Sequence, residues 1–171
     1  SISNTTTAPI KVLDAKKVIL TLADNTTNTI TDSSRLSTEE DYSAAIYSKE
    51  DLIINGNGTL NVNAGYRNGI KSTDDCIIVS GTLNITSTED GIIGKDLCGI
   101  VAGDININAG SDGIKSTYDT DTTKGNVIIE GGNITVKASN DGIQAENILV
   151  INDGTINIKT NNGAADTTQT H

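Results

Sequence analysis

The chain has no phenylalanine, tryptophan or methionine, and its only aromatic residues are four tyrosines. A rounded globular core is usually filled by large aromatic side chains, so this composition points to a thin interior layered with Ile, Leu and Val. A single proline, two cysteines and one histidine, His171, complete the scarce residues. With no second histidine, neither a histidine-based metal site nor a serine–histidine triad can be assembled. Basic residues are also few, 12 against 22 acidic ones for a net charge of -10, and they are scattered. Phosphate recognition requires a clustered basic face, so nucleic acid is not an expected partner. No run approaches the ~20 apolar residues of a membrane span, so direct membrane insertion is not expected either. The chain begins at Ser1 and reads as a mature or trimmed piece. At 171 residues it fits a single domain.

What the chain has in abundance is repetition. Asn68-Gly69-Ile70, Asp90-Gly91-Ile92, Asp112-Gly113-Ile114 and Asp141-Gly142-Ile143 place glycines at 69, 91, 113 and 142, and Asn162-Gly163 follows. A period near 22 in fixed phase is the signature of a solenoid, whose coils bury their apolar faces only against one another. Residues 69–90 and 91–112 align without a gap: Cys76 falls on Cys98, Leu83 on Ile105 and Ile85 on Ile107. Each coil reads as three short strands. The third alternates cleanly, as in Leu83-Asn84-Ile85-Thr86 and Ile105-Asn106-Ile107-Asn108, which turns the aliphatic residues inward and the polar ones outward. Leu83, Ile85, Ile105, Ile107, Ile134, Val136, Ile156 and Ile158 are the expected core, with glycines 58, 81, 103, 132 and 154 at corners. Helical periodicity is absent.

The expected fold is therefore all-β: a parallel β-helix of about six coils, right-handed by the crossover rule. It spans one domain, 1–171. Residues 8–44 form an irregular first coil and loop, 45–163 the regular coils and 164–171 a tail. Cys76 and Cys98 stack in one apolar column, and parallel neighbours point their Cβ atoms the same way, which favours two buried thiols over a disulfide.

Stacking turns the residue before each glycine into a ladder of Asn68, Asp90, Asp112, Asp141 and Asn162. Two ionised carboxylates ~5 Å apart repel by roughly 1 kcal/mol in water and more at a protein surface, so the column calls for a cation. Calcium, which takes 6–8 oxygen ligands, suits it, with Glu89 and Asn140 as neighbouring donors. The alternative is that the ladder is a stack of turn caps, since Asp-Gly and Asn-Gly are common turn pairs. A second acidic column, Glu50, Asp74 and Asp96, reads as a solvated corner.

The segments Ala45-Ile46-Tyr47-Ser48-Lys49, Asp90-Gly91-Ile92-Ile93-Gly94-Lys95-Asp96, Asp112-Gly113-Ile114-Lys115-Ser116, Ile129-Glu130-Gly131-Gly132 and Asp141-Gly142-Ile143-Gln144-Ala145-Glu146 carry a family likeness. In that order they resemble the bacterial cell-surface carbohydrate-binding domains of clostridial type, over residues 8–163. The resemblance implies a pectate-lyase-like right-handed β-helix and an extracellular or cell-surface location. It also implies a non-catalytic module that binds plant-type or acidic polysaccharides and contains Ca2+, with ligands on Asp90, Asp112 and Asp141. For such a sugar ligand, the outward Asn84 and Asn106 and the aromatic ring of Tyr118 are the candidates. The chain departs from the pattern at Asn68, where an Asp is expected, which weakens a site at that end. Two other functions compete: a structural shaft or filament subunit associating end to end, and a polysaccharide lyase with Arg35, Arg67, Lys71 or Lys115 as base.

Overall fold

The computed structural model describes residues 1–33 and 42–161. Strand β1 (Ile2–Asn4) stands alone, and six three-strand coils follow. They are β2 (Ile10–Val12), β3 (Val18–Leu22) and β4 (Thr27–Asp32); β5 (Ala44–Ser48), β6 (Leu52–Gly56) and β7 (Thr59–Ala64); and β8 (Asn68–Ser72), β9 (Asp75–Ile78) and β10 (Thr82–Ser87). The last three are β11 (Ile92–Gly94), β12 (Leu97–Ile100) and β13 (Asp104–Ala109); β14 (Ile114–Lys115), β15 (Asn126–Ile129) and β16 (Asn133–Ala138); and β17 (Ile143–Gln144), β18 (Leu149–Ile151) and β19 (Thr155–Thr160).

First strands pair only with first strands, second with second and third with third. The result is sheet I (β2 to β17), sheet II (β3 to β18) and sheet III (β4 to β19, with β1 added beyond β4). The pairings are parallel throughout. This is a parallel β-helix, and none of the described residues is helical. The gapless alignment holds residue for residue, with Leu83 on Ile105, Ile85 on Ile107 and Cys76 on Cys98. The loose N-terminal segment forms a full coil, and β1 extends sheet III by a strand that the repeat pattern did not announce.

The interior is a set of aliphatic columns, each layer stacked ~4.8 Å above the last. One runs Leu60, Leu83, Ile105, Ile134; another runs Ile46, Ile70, Ile92, Ile114. All of these are buried. Cys76 and Cys98 are buried free thiols, and burial pushes the Cys98 thiol up to about 12. Two expectations need correction. Ile156 is only half-buried and Ile158 is 45% exposed, because β19 is the terminal strand of sheet III and no described residue stacks beyond it. Gly58 is also not the left-handed corner of its coil. That role falls to Gly56 (φ 96°), while Gly81, Gly103, Gly132 and Gly154 occupy the expected corners at φ 101–115°. The coil carries one more residue at this turn, which shifts the corner.

Candidate functional site

The ladder forms as a two-way zipper between coils. The N–H of Gly69 donates to the carbonyl of Asp90, Gly91 to Asp112 and Gly113 to Asp141, at 2.8–2.9 Å. In the other direction Oδ1 of Asn68 accepts from the N–H of Asp90 (3.1 Å), Oδ1 of Asp90 from Asp112 (3.0 Å) and Oδ1 of Asp112 from Asp141 (3.0 Å). The glycines are not needed here for a left-handed turn. A Cβ on Gly91 would lie 2.5 Å from both the carbonyl oxygen of Gly113 and Cγ2 of Ile107, and Gly69 and Gly113 are hemmed in the same way. Glycine recurs because adjacent coils approach too closely for a side chain.

Asn68, Asp90 and Asp112 are buried, Asp141 is exposed, and Asn162 lies outside the described residues. The column's positive charge comes from the chain itself. Lys115 Nζ lies 2.6 Å from Oδ2 of Asp112 and 3.8 Å from Oδ2 of Asp90. Burial alone would lower the Lys115 pKa, but the Asp112 hydrogen bond and the charges of Asp90, Asp112 and Asp141 raise it overall. Lys71 is the opposite case, pulled down by burial, and its ammonium reaches the hydroxyl of Ser43. The flanking donors face away from the column: Glu89 lies 3.9 Å from Arg67 Nε, and Asn140 donates to Ser111. With each Oδ1 taken by a backbone N–H and an ammonium beside Asp112, the buried part of the ladder has few oxygens left for a metal.

The second acidic column is richer in free oxygens than its sequence suggested. Register places Asp51 beneath Asp75, and Asp74 beneath Asp96, where sheets I and II meet. One oxygen from each of Asp51, Asp74 and Asp75 lies within 4.8 Å of the others. Burial raises the Asp74 pKa, as do its hydrogen bond with Asp96 and the neighbouring charges of Asp51 and Asp96. Burial likewise raises that of Asp75, followed by Asp51, Asp74 and Asp96. Asp96 is buried and hydrogen-bonded by Lys124. Asp74, Asp75 and Asp96 also line a cleft of about 370 Å³ that extends to Asn126, two layers from Asp75. Three convergent carboxylates fit a hard cation better than the ladder does. The signal in the sequence was the 24-residue offset between Asp51 and Asp75, which matches the offset of Leu52 and Cys76.

The three carbohydrate candidates are not brought together. Asn84 and Asn106 lie on the outer face of sheet III in an amide ladder, Asn106 Nδ2 donating to Asn84 Oδ1 (3.1 Å) and Asn84 Nδ2 to Asn61 Oδ1 (2.9 Å). Tyr118 belongs to the insert between β14 and β15. Its ring is held between the ammonium groups of Lys95 and Lys124, 4.7 and 5.0 Å from the centroid, so it is committed to the acidic corner.

Known proteins are similar to this chain. A polysaccharide lyase-like protein from C. thermocellum, solved as a gadolinium derivative, superposes with a TM-score of 0.80 at 35% identity, over 93% of this chain and 68% of that one. A carbohydrate-binding domain-containing protein of Acetivibrio thermocellus is 39% identical over 89 residues, 50% of this chain. The match covers 31% of that longer protein. Residues 1–171 match the family described as carbohydrate-binding domain-containing protein, and the chain belongs to that family.

Proposed function

We propose that this chain is a non-catalytic, calcium-dependent polysaccharide-binding module of a cell-surface or secreted protein, and that its ion sits at the acidic corner. The observation that carries this is the convergence of Asp51, Asp74 and Asp75 within 4.8 Å in a half-exposed setting. Calcium bound by three carboxylates fills its 6–8 positions with water, and a sugar hydroxyl or uronate carboxylate can replace that water. A bound ion also offsets the carboxylate repulsion that, after burial, raises the Asp74 and Asp75 pKa values. On this reading the ladder, neutralised by Lys115, is the seam between coils.

A non-catalytic role is supported by how the candidate bases are engaged. Lys115 is tied to Asp112 and Lys71 reaches the Ser43 hydroxyl, while Arg67 faces Glu89; Arg35 lies outside the described residues. The test is retention on pectin and cellulose with calcium or EDTA, beside an assay for unsaturated sugar products. Retention that weakens in EDTA and with Asp51→Asn and Asp75→Asn, with no product, is expected. Product formation would overturn the non-catalytic part, and retention that EDTA leaves unchanged the cation part.

A second reading, a shaft stacked end to end, draws on the exposed Ile148, Leu149, Ile151 and Ile158 of the last coil. The other end works against it. A copy arriving there meets β1 in sheet III one layer before β2 and β3 in the other sheets. Filaments under the electron microscope would reinstate this reading.

A further inference from the structure

The outer face of sheet III differs in chemistry from the rest of this acidic chain. From β4 to β19 its outward positions are Thr, Asn and Lys, with Asp104 the one acid, and Asp104 already accepts a hydrogen bond from Asn133 (2.8 Å). A chain with 22 acidic residues has kept its broadest sheet face almost free of them. Among the described residues nothing packs on this face.

The same face carries two lysines in direct register, Lys137 on β16 and Lys159 on β19, both exposed. Parallel neighbours lie ~4.8 Å apart, and like charges in adjacent register destabilise a sheet. Neither lysine has an ion-pair partner among the described residues. Two shallow depressions meet at this point, one running along Asn84, Asn106 and Thr135 to Lys137, the other from Asn108 and Lys137 to Lys159 and Asn161. Sharing Asn108 and Lys137, they form one trough parallel to the solenoid axis. Thr135 interrupts the amide ladder within it.

We infer that this trough seats one chain of an acidic polysaccharide along the solenoid axis, its hydroxyls on the Asn/Thr columns and its carboxylates on Lys137 and Lys159. The lysine pair is then the specificity determinant that separates uronate-bearing from neutral glycans, and it acts without calcium. This rests on the polysaccharide-binding function proposed above. Charge complementarity commits the face to a polyanion, and the neighbouring amides and hydroxyls commit that polyanion to a sugar. Each solvated lysine–carboxylate pair contributes little alone, so selectivity arises from two adjacent contacts on one polymer.

The test compares the intact chain, Lys137→Gln/Lys159→Gln and the control Lys16→Gln/Lys17→Gln. The control removes the same charge from exposed residues in the connection between β2 and β3. Affinity is measured for soluble polygalacturonate, hydroxyethyl cellulose and polyglutamate, each with calcium and with EDTA. The Lys137/Lys159 variant is expected to lose about five- to tenfold on polygalacturonate in both conditions and nothing on the neutral glucan, while the control changes neither. Equal behaviour of the two variants, or equal affinity of the intact chain for polyglutamate and polygalacturonate, overturns the inference and leaves the proposed function standing. An intact chain that binds neither glycan overturns both.

Discussion

At the scale of single residues, two glycines of the same coil illustrate different constraints. Gly91 lies in the seam, where a Cβ would strike a backbone carbonyl and a packed isoleucine at 2.5 Å. Gly99 lies on the outer face of sheet II, where the nearest atom to a Cβ is Ile77 Cγ1 at 3.5 Å. Gly91→Ala is expected to cost about 3 kcal/mol, whereas Gly99→Ala is expected to be neutral or to stabilise by about 0.5 kcal/mol through the unfolded chain. Urea midpoints separate the two.

Charged residues give a second contrast, in pH. Lys115 has a raised pKa in the folded state, so its stabilisation is complete below the ordinary lysine value of 10.5 and is lost as pH rises through the folded one. Lys115→Met should therefore carry a deficit of about 2 kcal/mol at neutral pH that closes only in alkali. Asp75 also has a raised pKa, but for a carboxylate this means that folding is penalised once pH climbs above 3.8. Asp75→Asn should gain roughly 0.5 kcal/mol at pH 7 without divalent ions. That gain should vanish in acid and reverse when calcium is added. Thermal melts across pH, with EDTA and with calcium, check both signs.

Among elements, the strands of sheet III were the most legible in the sequence, because alternation and a gapless period together leave one register. Leu83 lies on Ile105 for the reason the alignment gave. What the sequence hid were relations across a corner or at an end. Lys115, three residues beyond Asp112, folds back over a column that a one-dimensional alignment treats as isolated. Asp51 and Asp75 sit one position beyond the column that counting from glycine selects, so the four-carboxylate corner looked like an ordinary charged turn. Ile158 carried the same inward signal as Ile107, yet the terminal position of β19 exposes it. Ile107→Ala should cost about 2–5 kcal/mol and Ile158→Ala about 1 kcal/mol or less. A similar cost at both would mean that something outside the described residues covers the last coil.

For the whole molecule, stability is a stack of nearest-neighbour layers, and a ligand that clamps two layers raises it globally. One calcium site at 100-fold excess over its Kd adds ~2.7 kcal/mol. At about 2–4 °C per kcal/mol for a domain of this size, chelation should lower Tm by roughly 5–10 °C, and Asp51→Asn should abolish the response. An unchanged Tm in EDTA, with the chain still retained on glycans, would leave the sheet III face as the operative surface.

The superposition of residues 69–90 on 91–112 has a consequence for inheritance. An in-frame loss of one repeat would join Asn68 to Gly91 and set Leu60 beneath Ile105 and Leu52 beneath Cys98, each an acceptable neighbour. The same event would delete Asp74 and Asp75. A variant without Gly69–Asp90 is expected to keep its β-sheet circular dichroism while losing its response to calcium. Lineages carrying this architecture can therefore shed the proposed ion site in one genetic step without losing the fold, or multiply it by duplicating the repeat that holds it.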